Sequence, residues 1–458
     1  MKHTDIKDIF AKHAEFVGKQ TVVCGWVKTS RNSKNVAFVE LNDGTCFKNL
    51  QVVIDKEKFD DKVENAFPVG TAAKMEGVIV ASPNNVCELS LTSYQILGES
   101  PLDYPLQKKR HSLEFLRTMP HLRVRTNTFL NVQRVRSVLA YATHTYFQQN
   151  GFAYVNAPLI TASDCEGAGE AFVVTTHAWN DKAKSEEEYY ANDFFGKRAS
   201  LSVSGQLEAE VAAMALGKVY TFGPSFRAEN SNTTRHVAEF WHVEPEVAFA
   251  ELPDIIEIVE SYVKFIVKYV LDHCPEEIAF FEKFYEAGLT AKLRNVVESD
   301  FVVLDYTDAI KVLQDSKAEF VFKPVWGEEL QTEHEKFLTE QIYKKPVFVT
   351  NYPKDIKAFY MKQNPDGKTV AATDLLVPGV GEIVGCSERE ADYDKLVEVM
   401  TKRGMNLDAY AYYLDLRKYG SVPHSGFGLG FDRMVMYVTG MSNIRDVILY
   451  PRASKEIR

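Results

Sequence analysis

The segment from Phe226 to Phe249, FRAENSNTTRHVAEFWHVEPEVAF, constrains the fold of this chain more than any other part of it. A polar Asn/Ser/Thr run separates two stretches of aromatic and charged residues. This pattern predicts a strand, a long hairpin loop and a return strand. The charged residues are Arg227, Arg235 and His236 among the bases and Glu229, Glu239, Glu244 and Glu246 among the acids.

Two interpretations of these charges are open. Buried charges need partners, and a polyanion together with a group carrying an amine or amide would supply them. Alternatively, the segment is an exposed hairpin whose charges are solvated. The interleaved aromatic residues, such as Phe240 and Trp241, favour the first interpretation because they indicate a half-buried sheet face.

The composition of the 458-residue chain is that of a soluble globular protein of two to four domains, with 45% apolar and 25% charged residues. No apolar run is long enough to span a membrane, and the N-terminal MKHTDIKDIFAKH lacks the apolar core of a secretory signal. Six cysteines occur without a C-x-x-C pair, which argues against a zinc site and for a reducing compartment. We therefore expect a cytoplasmic protein that does not associate with membranes.

The net charge of −10 hides a local excess of basic residues. Between Lys108 and Arg136 there are eight lysines and arginines and one acid, Glu114. Such a stretch can contact phosphate even in an acidic chain. A solvated linker and helix face explain the charge equally well.

Residues 21–98 predict a small β-barrel. Five strands are indicated, with the sequences TVVCGWVKT, NVAFVELN, FKNLQVVI, TAAKMEGVIV and VCELSLTSYQIL. A helical segment over Lys56–Phe67 separates the third and fourth strands, which is the order of the oligonucleotide-binding (OB) fold. Phe38 and Gln51 fall on strands two and three, the face on which such barrels bind single-stranded bases. A core position for Phe38 is the alternative.

The rest of the chain predicts an α+β domain on an antiparallel sheet flanked by helices. A linker runs from Pro101 to Pro120, a helix covers Asn127–Asn150, and the strand FAYVNAPLI ends near Pro158. This helix and strand form either core or a dimer surface. Residues 160–250 and 345–390 predict strands and loops, 251–272 a helix, and 275–340 a helical insertion to which no role can be assigned.

Two further motifs carry polar groups that suit a ligand. The run GFGLGFDR, Gly426–Arg433, is not a dinucleotide fingerprint because its third glycine comes one residue early. Asp374 and Glu382 flank a Pro-Gly turn, and Arg389 follows. Two carboxylates placed in this way can hold Mg²⁺ together with substrate phosphates, or they are ordinary hairpin charges.

Together these motifs resemble one family. Phe226–Glu229 with Arg235, His236 and Phe240 is similar to motif 2 of the class II aminoacyl-tRNA synthetases. Gly428–Arg433 is similar to their motif 3, and the helix ending near Pro158 to their motif 1. The barrel in front resembles the aspartyl, asparaginyl and lysyl subgroup. The segments SDCEGAGEAF, VSGQLEAE, EPEVAFA, GEIVGCSERE and NIRDVILYPR most resemble the bacterial type of its asparaginyl branch.

The resemblance implies three domains in an α+β chain. Residues 1–104 would form an OB-fold anticodon-binding barrel of five strands, 105–125 a hinge, and 126–458 the class II catalytic domain. Within the last, motif 1 would cover about 127–160, motif 2 about 219–249, the insertion about 275–340, and motif 3 about 424–440. A homodimer is implied as well.

The resemblance also implies the ligands and the residues that bind them. The ATP site would consist of Arg227, Glu229, Arg235, His236, Phe240, Glu382, Gly430 and Arg433. Of these, Arg227, Glu229 and Arg433 would be catalytic, with Arg227 on the α-phosphate and Phe240 and Arg433 on either side of the adenine. The amino-acid site would consist of Glu166, Gln206, Arg227, Glu244 and Arg389. Mg²⁺ would be held by Asp374 and Glu382, and the anticodon by Arg31, Phe38 and Gln51.

The expected amino acid is asparagine, and the expected tRNA is tRNA(Asn). Aspartyl enzymes of the subgroup place a Lys just after the Gln-Leu that corresponds to Gln206 and Leu207, and Glu208, Ala209 and Glu210 follow here. Glu244 corresponds to the position that accepts from the carboxamide NH₂, and a carboxylate there repels aspartate. With Arg389 as a donor, the pair complements an amide. An aspartyl enzyme, either discriminating or non-discriminating, is the alternative.

Two more distant functions are also open. An ATP-dependent asparagine synthetase with the same catalytic fold would lack the anticodon barrel, which is predicted here. A tRNA-binding relative without catalysis would be expected to lose Arg227, Glu229 or Arg433, and all three are present.

Overall fold

A computed structural model describes residues 2–59, 63–82, 85–163, 171–178, 185–231 and 233–457 of the chain. They form two compact units, Met1–Asn131 and Val132–Arg458. None of the helices in these described ranges is long and apolar enough to cross a membrane.

The first unit contains the predicted barrel. Its described strands are β1 (Gln20–Asn32), β2 (Val36–Asn42), β3 (Leu50–Asp55), β4 (Ala72–Ala81) and β5 (Cys87–Gly98), and they close in the order β1-β2-β3-β5-β4. Alternate residues point inward, so Val39, Leu41, Val52 and Ile54 are buried. Helix α1 (Ile6–Ala11) adds Ile6 to this core, and α2 (His13–Phe16) follows it.

The helix predicted between the third and fourth strands is wrong in extent. The described residues there form two short 3-10 helices, Lys56–Lys58 and Val63–Asn65. Asp55 caps the first, because its side chain accepts a hydrogen bond from the Glu57 N–H. Val63 and Phe67 are buried in the barrel core, so the segment is anchored by these side chains rather than by a regular helix.

The predicted linker is partly helical. Helices α3 (Leu113–Arg117) and α4 (Pro120–Arg123) precede the long helix α5 (Asn127–Gln149). The Ser112 hydroxyl accepts a hydrogen bond from the Phe115 N–H and so begins α3. Leu106, Leu116 and Phe129 form a small apolar cluster.

The second unit is built on a large sheet. Its strands are β6 (Ala153–Tyr154), β7 (Ile160–Thr161), β8 (Val173–Val174), β9 (Ala199–Leu201), β10 (Lys218–Phe226), β11 (Glu239–Ala248), β12 (Val302–Asp305), β13 (Val347–Thr350), β14 (Ala372–Val377), β15 (Gly381–Glu388) and β16 (His424–Gly430). In the part of the chain that the structure describes, the order of the large sheet is β12-β13-β14-β15-β16-β11-β10-β6, and β7, β9 and β8 form a small separate sheet. The fold-class prediction is confirmed. The large sheet is antiparallel through its centre, and both edge strands pair in parallel.

Helices flank this sheet. They are α6 (Glu186–Ala191), α7 (Gln206–Leu216), α8 (Leu252–His273), α9 (Pro275–Phe284), α10 (Leu289–Glu298), α11 (Tyr306–Asp315), α12 (Thr332–Lys336), α13 (Tyr393–Lys402), α14 (Ala411–Lys418) and α15 (Phe431–Thr439). A π-helical turn, Phe337–Ile342, continues α12, and 3-10 helices cover Lys354–Ile356, Leu407–Tyr410 and Ile444–Asp446. The amphipathic α8 buries Ile255, Val259, Val263, Ile266 and Val270.

Two local predictions for this unit are wrong. The strand predicted over FAYVNAPLI is reduced to the short β6 and β7, because Pro158 and its neighbours cannot continue a sheet ladder. The stretch 160–250 also contains two helices, α6 and α7, where only strands and loops were expected. Helix α7 ends at Gly217, whose positive φ of 78° suits glycine.

Candidate active site

One cavity of the second unit, about 270 Å³ in volume, contains most of the predicted site. It lies over the central strands of the large sheet, where β10, β11, β15 and β16 are neighbours. Twelve predicted residues line it: Gln206, Arg227, Glu229, Arg235, His236, Phe240, Glu244, Asp374, Glu382, Arg389, Gly430 and Arg433. Glu166, the remaining residue predicted for the catalytic domain, lies outside the described residues.

The β10–β11 hairpin supplies the basic and aromatic wall of the cavity. Nine consecutive residue pairs, from Lys218 with Val247 to Phe226 with Glu239, fix the register of the two strands. The Arg227 N–H then donates to the Ala238 carbonyl at 2.9 Å, which closes the base of the loop. The Arg227 guanidinium lies over the Phe240 ring, 5.3 Å from its centroid. This contact orients the arginine towards the cavity.

Arg433, at the start of α15, joins two walls of the cavity. Its Nη1 donates to the Glu382 carbonyl at 3.2 Å and lies 3.7 Å from the Glu382 carboxylate. Its Nη2 lies 3.5 Å from Nε2 of His236. The Thr233 hydroxyl contacts Nδ1 of the same ring at 2.5 Å. Burial lowers the pKa of His236, as do the nearby charges of Arg433, Arg227 and Arg235, so the ring is neutral at pH 7.

Two carboxylates meet on the β14–β15 hairpin. A Cβ at Gly385 would lie 3.4 Å from the Glu382 carboxylate and 3.6 Å from that of Asp374, so both carboxylates lie beside this residue. Lys357 Nζ donates to Asp374 at 2.6 Å. Burial raises the pKa of Asp374, Lys357 opposes this, and Glu382 adds to it. The arrangement is a pair of carboxylates with one adjacent ammonium group.

The opposite end of the cavity holds Glu244, which is almost fully buried. Its carboxylate accepts hydrogen bonds from the Ser204 hydroxyl, from the Gly205 N–H at 2.8 Å and from the Thr221 hydroxyl at 3.3 Å. His242 Nδ1 lies 3.4 Å away. Burial alone would raise the pKa of Glu244, but His242, Ser204 and Gly205 outweigh it and lower the pKa to about 2. Glu244 is therefore a fixed anion at neutral pH.

Arg389 is held by a residue that the sequence interpretation missed. Its Nε donates to the Glu246 carboxylate at 3.2 Å, and its Nη2 donates to the other oxygen of the same group. Nη1 donates to the Ser387 hydroxyl at 2.6 Å. Burial would lower the pKa of Arg389, but Glu246 and Glu210 raise it above its usual value. The spacing of Glu244 and Glu246 was the available signal, because residues i and i+2 of a strand share a face.

A second buried network, also missed, lies behind Gln206. Its amide donates to the Glu210 carboxylate at 3.0 Å, one turn along α7. Glu210 also accepts from Arg417 Nη2 at 2.7 Å and from Tyr413 at 2.9 Å. His424 Nε2 lies 2.9 Å from it. Gln206 is therefore oriented by a carboxylate whose own charge is compensated.

The first unit brings its three predicted residues to the outer face of the barrel. Arg31 and Phe38 are paired across β1 and β2, and the guanidinium lies 5.7 Å from the centroid of the Phe38 ring. Phe38 points away from the core formed by its neighbours Ala37 and Val39. Gln51 lies on the adjacent strand β3, and its amide donates to Glu88 at 2.8 Å.

The basic stretch from Lys108 to Arg136 is used in two ways. Arg134 donates to the buried Glu277 at 2.7 Å, Arg136 pairs with Asp432, and the Arg123 guanidinium lies 4.2 Å from the Phe129 centroid. These arginines have structural partners within the protein, so they do not belong to a wholly solvated face. By contrast, the basic side chains Lys28, Lys108, Lys109, His111 and Arg125 line a cavity of about 400 Å³ in the first unit.

Comparisons with known protein families agree with both units. Residues 112–454 match the family described as tRNA synthetases class II (D, K and N), and residues 21–97 match the OB-fold nucleic acid binding domain. The chain is 54% identical over 456 residues to an asparagine–tRNA ligase of Clostridium botulinum, covering 99% of this chain and 98% of that protein. It is 53% identical to the one of Bacillus cytotoxicus with the same coverage.

Solved structures agree as well. The asparaginyl-tRNA synthetase of Pyrococcus horikoshii complexed with asparaginyl-adenylate superposes with a TM-score of 0.87 at 32% identity, covering 100% of this chain and 99% of that one. The asparaginyl-tRNA synthetase of Entamoeba histolytica in complex with asparaginyl-adenylate gives 0.82 at 30% identity, with 95% of each chain covered. A putative aspartyl-tRNA synthetase of Leishmania major, at 19% identity and a TM-score of 0.80, shares the fold.

Proposed function

Because this chain belongs to the class II tRNA synthetases of the D, K and N group, we propose that it ligates asparagine to tRNA(Asn) through an asparaginyl-adenylate. One observation carries the substrate assignment. The same cavity has a fixed anion, Glu244, at one end and a cluster of guanidinium groups, including Arg227 and Arg433, towards the other. An amide and a polyphosphate are complementary to these two ends.

The first step needs no general base. The asparagine carboxylate attacks the α-phosphorus of ATP, a new P–O bond forms, and the bond from the α-phosphorus to the bridging oxygen breaks as pyrophosphate leaves. The protein has to align these groups and neutralise the charge on the phosphate oxygens. Arg227 is proposed for this role because its planar guanidinium stays charged and lies against Phe240.

The remaining residues of the ATP site have distinct tasks in this proposal. Phe240 and Arg433 enclose the adenine, and Gly430 lets the base approach the backbone at the start of α15. Arg235 and His236 lie on the loop side of the cavity and face the phosphates. Glu229 binds ATP beside Arg227, and with Arg227 and Arg433 it forms the catalytic group.

The carboxylates of Asp374 and Glu382 fit a magnesium ion. Both carboxylates lie beside Gly385, and Mg²⁺ binds through one or two carboxylates together with substrate phosphates. When bound, the ion neutralises charge on the phosphate oxygens. Lys357, which donates to Asp374, fixes that carboxylate in position.

The amino-acid site discriminates by charge. Glu244 accepts from the carboxamide NH₂ of asparagine, Arg389 donates to its carbonyl oxygen, and Gln206 helps to seat the substrate. Glu166 is proposed for the α-ammonium group and lies outside the described residues. An aspartyl enzyme is expected to have a lysine just after the Gln-Leu, and the residues that follow Gln206 and Leu207 here, Glu208, Ala209 and Glu210, bring no positive charge. An aspartate side chain would therefore meet the anion of Glu244, and the Arg389 guanidinium beside it is already compensated by its ion pair with Glu246.

The second step, the transfer of asparagine to tRNA, is proposed to use both units. The 3′-hydroxyl of the terminal tRNA ribose attacks the carbonyl carbon of the adenylate, loses its proton, and AMP leaves. We propose that residues 1–104 bind the anticodon through Arg31, Phe38 and Gln51, that 105–125 form the hinge, and that 126–458 form the catalytic domain. The outward Phe38 ring supports a stacking role, because every base presents a π-face.

The working form is proposed to be a homodimer in the cytoplasm. Tyr154 and Trp241 expose 43% and 39% of their surfaces and line a cavity with Phe222 and Phe431. Exposed aromatic residues of this kind suit a protein interface. The six cysteines of the sequence include no C-x-x-C pair, and this spacing supports a reducing compartment. Light scattering on wild type and on Trp241→Glu tests the dimer, which the variant is expected to weaken.

Amino-acid-dependent exchange of pyrophosphate into ATP tests the function. Asparagine is expected to support exchange, and aspartate and lysine are expected not to. Transfer of asparagine to tRNA(Asn) then tests the second step. Exchange that prefers aspartate would make the chain an aspartyl enzyme, and no exchange with any amino acid would indicate a binding protein.

A further inference from the structure

We propose that Glu335, in the insertion at 275–340, positions Arg235 at the phosphate end of the cavity. This inference rests on the proposed function, in which Arg235 binds ATP. It also gives the insertion a role that its sequence does not reveal. Glu335 does not line the cavity itself, so its effect on the reaction is exerted through Arg235.

The two side chains meet beside the β14–β15 turn. Glu335 lies on α12, and its carboxylate is 3.6 Å from Nη1 of Arg235. The exposed fractions of the two side chains are 13% and 20%. A Cβ at Gly381 would overlap the Glu335 carboxylate and come within 3.0 Å of Arg235 Nη1. Gly381, with a φ of +85°, therefore leaves the space that the pair occupies.

Arg235 needs such a partner because of where it lies. It is part of the loop between β10 and β11, outside any helix or strand, and its long side chain has many rotamers to lose on ordering. A partly buried carboxylate restricts those rotamers before ATP arrives. The separation of 3.6 Å exceeds a hydrogen-bond distance, so Glu335 steers the guanidinium without using up its N–H donors.

The insertion is also attached to the turn that carries Glu382. The Glu340 carboxylate, in the π-helical turn after α12, accepts a hydrogen bond from the Gly379 N–H at 2.8 Å. One segment, 332–342, therefore contacts both the Arg235 side chain and the backbone next to a proposed magnesium ligand. Burial raises the pKa of Glu335 to about 7, with Glu382 and Asp374 adding to the shift and Arg235 opposing it.

The test measures ATP and asparagine separately in pyrophosphate exchange. Glu335→Ala and Arg235→Ala are each expected to raise the KM for ATP about tenfold and to leave the KM for asparagine unchanged. Glu335→Asp should recover part of the loss. The neighbouring Glu333→Gln is the matched control, because Glu333 accepts from the Val321 and Phe322 N–H groups and faces away from the cavity. Its KM for ATP should match that of wild type.

A double variant decides whether Glu335 acts through Arg235. If it does, Arg235→Ala combined with Glu335→Ala has the same KM for ATP as Arg235→Ala alone. Additive losses, or an unchanged KM in Glu335→Ala, would overturn the inference. A normal KM for ATP in Arg235→Ala would instead contradict the proposed ATP site. Binding of AMP, measured by calorimetry, should be equal in wild type and Glu335→Ala, and a parallel loss of AMP binding would indicate general damage to the fold and overturn the positioning role.

Discussion

The carboxylate of Glu246 accepts hydrogen bonds from both Nε and Nη2 of Arg389 in a buried, bidentate ion pair. The room for this pair comes from Gly426 on the neighbouring strand, because a Cβ there would overlap all of the Glu246 carboxylate atoms. The first glycine of GFGLGFDR therefore makes space for a charged group of the protein rather than for a ligand.

Gly426→Ala is expected to displace Glu246 and with it the guanidinium that faces the substrate amide. We expect the KM for asparagine to rise and the free energy of unfolding to fall by about 3 kcal/mol, since disrupting one partner leaves a buried charge unpaired. Exchange kinetics and urea unfolding measure the two effects. Gly223→Ala on β10 is the control, because a Cβ there meets nothing within 4 Å. Equal behaviour of the two variants would show that the Glu246–Arg389 pair does not depend on Gly426.

Glu244→Gln is expected to weaken the discrimination against aspartate. The variant removes a carboxylate that is ionised at neutral pH, given its pKa of about 2, and puts a donor where aspartate can accept. The asparagine-to-aspartate ratio of kcat/KM in pyrophosphate exchange should fall at least about tenfold, which corresponds to 1.4 kcal/mol. Glu239→Gln removes a charge from the exposed end of the same strand and should leave the ratio unchanged. A constant ratio in Glu244→Gln would contradict the assigned role.

Phe38→Ala is expected to separate the two steps of the reaction. Loss of a base–aromatic stack costs about 1–3 kcal/mol, so the KM for tRNA in aminoacylation should rise roughly tenfold. Pyrophosphate exchange without tRNA should not change, because the adenylation residues lie in the other unit. Thermal unfolding serves as the control. A lower melting temperature with normal tRNA kinetics would assign Phe38 to packing instead.

The sequence predicted the barrel and the α+β class through local patterns, and it predicted the residues that line the cavity through the resemblance of its motifs to the class II synthetases. Alternation along β1 to β5 determines which side chains face the core. The motif residues of the catalytic unit lie on or next to strands whose register follows from the hairpins. The resemblance of these motifs to the family assigned Arg227, Glu244 and Asp374 before the distances between them were known.

The residues that position other side chains through long-range contacts could not be predicted from the sequence. Glu335 and Arg235 are separated by a hundred positions, and nothing in the TEHEK segment indicates a basic partner. Glu210 looks like one acid of an ordinary helix, and only the fold brings Arg417 and His424 to it. Arg134 and Arg136 were read as part of a basic patch, although their partners Glu277 and Asp432 are supplied by distant helices. Long-range pairing leaves no periodic signal in the sequence.

His236 is expected to couple ATP binding to proton uptake. Burial and the charges of Arg433, Arg227 and Arg235 lower its pKa against the opposing charge of Glu229, so the ring is mostly neutral at pH 7 when the site holds no phosphate. The triphosphate brings negative charge and raises that pKa, so binding near pH 6, close to the ordinary histidine value of about 6.5, should take up a proton. The uptake should disappear as the pH rises towards 8, where the ring is neutral in both states. Calorimetry in buffers of different ionisation enthalpy measures this proton uptake.

His236→Gln should lose the proton uptake, while His273→Gln, which changes an exposed ring stacked on Tyr269, should keep it. Full uptake in His236→Gln would place the titrating group elsewhere in the cavity.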